Sequence, residues 1–153
     1  MPRLSPGDLA PDFSLPDHEG HTVTSGSLRG QRYVLYFYPE DDTPGCTREA
    51  CQFNDERANF DDLGVAIYGV SPDGAASHQA FRASYGLTFT LLSDPDKGVM
   101  AAYGAYGEKL NYGKTIMGVI RSTFVISPEG VIEHAWYGIK TEGHAARVRK
   151  ALS

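Results

Sequence analysis

A chain of 153 residues, 41% hydrophobic and 22% charged, can bury a core without staples and is too apolar for a disordered segment. Its formal net charge of −5, with no basic block of helix length, argues against nucleic-acid binding. No apolar run reaches the roughly 18 residues of a membrane span, and the opening MPRLSPGDLAPDFSL has no signal-like apolar stretch, so one cytoplasmic domain over residues 1–153 is expected.

In chain order, residues 1–12 read as an extended lead-in broken by Pro2, Pro6 and Pro11. Asp12–Leu15 and His21–Thr24 flank Asp17-His18-Glu19-Gly20, the pattern of a small hairpin. Ser27–Gln31 is a polar link with room for one helical turn. Tyr33–Tyr38 is apolar throughout, as in a strand covered on both faces. A helix is expected from Cys46 to about Asp62, with Cys46, Ala50, Phe53 and Phe60 on one stripe. Gly64 ends it and Val65–Val70 is the next strand, giving a βαβ unit whose strands run parallel. Ala75–Tyr85 reads as a helix stopped by Gly86, Thr90–Leu92 as a short strand, and Asp94-Pro95-Asp96 as the lead to a helix ending near Tyr103. Gly104–Val119, with four glycines and with Tyr106, Tyr112 and Met117, reads as a long loop. Ser122–Ile126 and Val131–Trp136 are strands joined by Ser127-Pro128-Glu129-Gly130, and Glu142–Leu152 is an amphipathic closing helix. Together these elements predict a mixed α/β sheet with helices on both faces.

Two cysteines are too few for a secreted disulfide framework. The five histidines are scattered; His18 and His21 flank a Glu19-Gly20 turn and read as solvated loop residues, without metal-ligand spacing.

The chemistry gathers between Tyr33 and Cys51. The chain turns through Pro39 and Glu40-Asp41-Asp42, an acidic bend expected to face water, and enters a helix at Thr43-Pro44-Gly45-Cys46. Thr43 suits the N-cap and Pro44 the first helical position. Cys46 then lies in the first turn, where unpaired backbone N–H groups and the positive end of the helix dipole favour a thiolate over a thiol. Gly45 allows close approach to the backbone. The competing reading of Cys46 is a buried apolar filler. Cys51 follows five residues later; that spacing advances a helix by about 7.5 Å and separates the Cα atoms by roughly 8 to 9 Å, beyond the ~7 Å reach of a disulfide. A bond between them requires the first turns to unwind. Glu49 has two readings, a partner for an arginine or a solvated helix charge.

Pro39, Thr43 and Cys46 match the P-x-x-x-T-x-x-C signature of the peroxiredoxins, and YFYPEDDTPGCTREACQF resembles their bacterioferritin comigratory protein (PrxQ) subfamily. GDLAPDFSLPD, YGKTIMG and GVIRSTFVISPEG also resemble family segments, so the likeness spans nearly the whole chain. It implies a thioredoxin-like fold: a central mixed β-sheet flanked by helices, with an N-terminal β-hairpin. It implies a thiol peroxidase with Cys46 as the peroxidatic cysteine and Cys51 as the resolving one, joined in an intramolecular disulfide. Thr43 would hydrogen-bond the thiolate and substrate, Pro39 would wall the pocket, and Arg121 would stabilise the thiolate and the transition state. Hydroperoxides would be substrates and thioredoxin or a similar dithiol protein the reductant, with no cofactor or metal and a monomeric state.

Two other readings compete. A thioredoxin-like disulfide oxidoreductase would carry C-x-x-C, whereas the spacing here is C-x-x-x-x-C. A redox-sensing or chaperone-like module would use the disulfide only to change shape. Neither accounts for Pro39, Thr43 and Arg121 together.

Overall fold

The computed structural model describes residues 3–111 and 113–152. The apolar run becomes β3 (Arg32–Phe37), whose residues after Arg32 are all buried. It is the middle strand of a five-stranded sheet. On one side it pairs in parallel with β4 (Val65–Ser71), which pairs in parallel with β5 (Thr90–Ser93). On the other it pairs antiparallel with β8 (Ser122–Ile126), which pairs antiparallel with β9 (Ile132–Tyr137). The order β5-β4-β3-β8-β9 is therefore the mixed sheet expected from one βαβ unit followed by a hairpin. A two-stranded hairpin of β1 (Ser14–Pro16) and β2 (Thr22–Thr24) precedes it.

Alternation along β3 divides the core. Val34 and Tyr36, with Tyr38 just beyond the strand, join Cys46, Ala50 and Phe53 of α1 (Pro44–Asp55), Phe60 of α2 (Arg57–Asp62), Phe81 of α3 (Ala75–Tyr85) and Val148 of α5 (His144–Leu152). Tyr33, Leu35 and Phe37 face the other way, onto Met100 of α4 (Gly98–Ala102), Tyr103, Phe124 and Leu15 of the N-terminal hairpin. Each large side chain buried this way contributes about 1.5–3 kcal/mol. The stripe on α1 is thus what fixes that helix, and Cys46 with it, against the central strand.

Several details depart from the sequence reading. The helix expected from Cys46 to Asp62 breaks at Glu56 (φ −88°, ψ −1°), where the Glu56 carboxylate is held by Arg149 at 2.6 Å and Asn59 at 2.9 Å. The turn expected in Ser27–Gln31 is a 3-10 turn at Gly26–Leu28. His18 is buried rather than solvated, 7% exposed, and burial together with Arg82 lowers its pKa; His21 is exposed. The largest departure is Gly104–Val119, which is a β-arm rather than a loop. β6 (Tyr106–Asn111) pairs antiparallel with β7 (Lys114–Val119). Leu110 and Met117 on the arm are exposed, so little of it packs on a core and no apolar alternation marks its strands. Tyr112, assigned to the same loop, lies outside the described residues.

Candidate active site

Cys46 is the third residue of α1, and its side chain is almost wholly buried, 1% exposed. Thr43 occupies the N-cap position in an extended conformation (φ −90°, ψ 156°) with Pro44 following, so the helix starts where the sequence indicates. The cap itself differs from expectation. No side-chain capping bond forms; the Thr43 hydroxyl donates back to the Glu40 carbonyl at 3.0 Å. Pro39 is half-buried at the exit of β3.

Arg121 immediately precedes β8, and its guanidinium reaches across the sheet to the start of α1. Nη2 lies 3.4 Å from Cys46 Sγ, and Nη1 donates to Glu49 Oε1 at 2.6 Å. Gly45 explains how the guanidinium fits: a Cβ there would stand 3.3 Å from Nη2. Of the two readings of Glu49, the structure selects the arginine partner. Glu49 sits three residues after Cys46, on the same face of the helix, and is fully buried. Its Oε2 has no hydrogen-bond partner among the described residues.

Three ionisable groups therefore share one buried corner, with one cation between two potential anions. Burial works against the Arg121 charge, but Glu49 and Cys46 outweigh it and hold its pKa above the ordinary value. Burial pushes Glu49 up to about 7, against the pull of Arg121. The two shifts point to different states of the pair; guanidinium keeps its proton at any working pH, so Glu49 is the partner that titrates. Such a site places a fixed donor and charge beside a sulfur in a water-poor environment, the arrangement that stabilises negative charge developing on a reacting atom.

Cys51 is half-buried on the next turns of α1, and both thiols are free. Burial, then Asp55, raises the Cys51 pKa. Among the described residues, no group of three or more His, Cys, Asp or Glu side chains is placed to hold a metal ion. No described helix is long and apolar enough to cross a membrane.

In the acidic bend Glu40 and Asp42 are exposed as expected, and Asp41 is the second correction at the site. Asp41 does not face water but is 8% exposed, accepting hydrogen bonds from Tyr38 Oη at 2.6 Å and Ser77 Oγ at 2.8 Å and meeting His78 Nδ1 at 2.7 Å. Sequence reading missed His78 altogether. It lies far from the motif in the chain, and an isolated histidine in a helix carries no sign of its partner.

A thiol in the first turn of a helix, packed on the central strand of a mixed sheet and touched by a guanidinium, defines a thiol-reactive centre on a thioredoxin-like α/β fold. Comparison with known proteins makes the class specific. The model of the AhpC/TSA family matches residues 6–135. The chain is similar to "Peroxiredoxin Bcp" of Escherichia coli (strain K12), 42% identical over 144 residues, which are 94% of this chain and 92% of that protein. Two solved Xanthomonas campestris structures superpose with a TM-score of 0.87, covering 92% of this chain and 89% of theirs. One is described as peroxiredoxin Q, 43% identical, and the other, 42% identical, as a bacterioferritin comigratory protein with alkyl peroxide reduction activity. The chain belongs to the AhpC/TSA family, among its peroxiredoxins of the Bcp/PrxQ type. Membership implies a thiol peroxidase that acts on a hydroperoxide and draws electrons from a dithiol.

Proposed function

We propose that this protein reduces hydrogen peroxide and organic hydroperoxides through Cys46, resolves the product with Cys51, and is recycled by thioredoxin or a similar dithiol protein. The observation that carries the reading is the Arg121 guanidinium 3.4 Å from the Cys46 sulfur at the first turn of α1. The Cys46 thiolate attacks one peroxide oxygen. The O–O bond breaks, and the departing oxygen takes a proton and leaves as water or alcohol. Sulfur is oxidised to a sulfenic acid, a reversible state that condenses with a nearby thiol. Arg121 offsets charge on the sulfur and the leaving oxygen. Thr43 supplies a hydroxyl that turns from Glu40 toward sulfur and substrate, and Pro39 shields the site from water. Cys51 then attacks the Cys46 sulfur, a disulfide forms and water departs. Two electrons and two protons from the external dithiol restore both thiols.

The first turns of α1 unwind for this bond, because the helical spacing holds the two Cα atoms roughly 8 to 9 Å apart. The organic-hydroperoxide part of the reading is supported by the alkyl peroxide reduction activity of the Xanthomonas campestris relative. The protein acts as a cytoplasmic monomer in antioxidant defence. A coupled assay tests the whole cycle: thioredoxin, its reductase and a hydroperoxide should give steady turnover with wild type and none with Cys46→Ser. Turnover retained in Cys46→Ser would overturn the assignment.

A further inference from the structure

The loop between β3 and α1 is held from one side by α3. Asp41 is gripped by Tyr38, Ser77 and His78, and Asp42, in a left-handed conformation (φ 60°), accepts from Tyr85 Oη at 2.5 Å. The Asp41 N–H donates to Asp73 Oδ2 at 2.7 Å, and Asp73 also accepts from Ser71 Oγ at 2.8 Å. The loop that delivers Thr43 and Cys46 is therefore fastened through its two aspartates to α3, whose Phe81 also joins the buried cluster around Cys46.

His78 is the buried centre of this fastening, with no exposed surface. Each of its two nitrogens faces an oxygen. Nε2 lies 3.0 Å from the Leu92 carbonyl, which can only accept. Nδ1 lies 2.7 Å from Asp41 Oδ2, and that carboxylate already accepts from Tyr38 and Ser77. A neutral ring would serve one acceptor and leave two lone pairs facing each other at the second. With Asp41 ionised, both bonds form only if the ring carries two protons. Asp41 is kept ionised, since its bonds to His78 and Tyr38 outweigh the effect of burial and lower its pKa. His18 is the other titratable ring coupled electrostatically to His78.

We propose that His78 is a doubly protonated positioning residue: through its ion pair with Asp41 it latches the 39–43 loop to α3 and so holds Cys46 in its reactive place. The latch rests on the thiol-peroxidase reading for its effect on rate, but the ring's charge is independent of it. Misplacement of a reacting group by about 1 Å costs on the order of 100-fold in rate. Loss of the latch should therefore slow single-turnover oxidation of Cys46 by roughly 10- to 100-fold.

Two measurements test this. Long-range nitrogen–proton NMR of the reduced wild type near neutral pH should show both His78 nitrogens protonated; a neutral ring overturns the proposal. Rapid mixing with hydrogen peroxide should show Asp41→Asn and His78→Phe each slowed, the double variant no slower than the worse single one, and His78→Gln, which keeps one donor toward Asp41, partly recovered. Single variants that react as fast as wild type, or losses that multiply in the double variant, overturn it. If His78→Phe does not fold, Asp41→Asn and the NMR spectrum decide. A wild type inert to peroxide would remove the proposed function, while the spectrum would still judge the latch.

Discussion

The two thiols of α1 are five residues apart and have different charged neighbours. Cys46, at the positive end of the helix, is buried against a guanidinium that is itself held by Glu49. Cys51, one and a half turns on, has Asp55 as its charged neighbour, and burial and Asp55 both favour its protonated form. On the proposed function, one helix thus separates the sulfur that attacks peroxide from the sulfur that resolves the product. The lesson is that helix register decides which of the two sulfurs meets Arg121, and the proposed roles follow from that contact.

The sharpest way to break that contrast is to remove each sulfur. Cys46→Ser should reduce peroxide consumption to background, whereas Cys51→Ser should complete one oxidation and then fail to recycle, accumulating over-oxidised Cys46. Stopped-flow traces and intact mass read the two outcomes.

Removing the cation comes next. Arg121→Met should slow Cys46 oxidation by roughly 100- to 1,000-fold, the scale seen when a fixed donor to developing charge is lost. It should also destabilise the fold by about 3 kcal/mol, because Glu49 is left buried without its partner. Adding Glu49→Gln to that variant should restore much of the stability in urea titrations and none of the rate. Recovery of both would show that Arg121 matters for folding alone.

Much of this was legible in the chain. The apolar run at Tyr33–Tyr38, the Pro44 helix start and the Gly86 stop are local signals, and the mixed parallel and antiparallel character of the sheet followed from such signals, while the strand order did not. The Cys46–Arg121 contact was legible only through resemblance to a family, since nothing in the chain between them specifies it. What escaped detection depends on long-range packing. Asp41 reads as a solvated acid until His78, Ser77 and Tyr38 are seen around it. The β6–β7 arm escaped because its strands pair with each other, leave Leu110 and Met117 exposed and show no buried stripe.

Acid titration offers a smaller test of the same corner. Glu49 is raised from 4.5 to about 7, so between those values the folded protein keeps a proton that the unfolded chain has lost. Stability from this group is therefore full below about 4.5 and lost as pH rises toward about 7. His144, held down at about 4 by burial and nearby arginines, acts in the opposite sense, adding stability as pH rises toward 6.5. The difference between wild type and Glu49→Gln isolates the first effect. The variant should gain melting temperature relative to wild type as pH rises from 5 to 7, and parallel curves would contradict the assignment. Smallest of all, Asp55→Asn should favour the Cys51 thiolate and hasten disulfide formation by roughly two- to threefold. Quenched-flow thiol trapping checks it.

The most direct measurement is peptide-mapped mass spectrometry of the protein before and after one equivalent of hydroperoxide. The account predicts an intact mass lower by two hydrogens and a single cross-linked peptide pair joining Cys46 to Cys51. An oxygen retained on Cys46 with Cys51 still a free thiol, or oxidation falling first on Cys51, would contradict it.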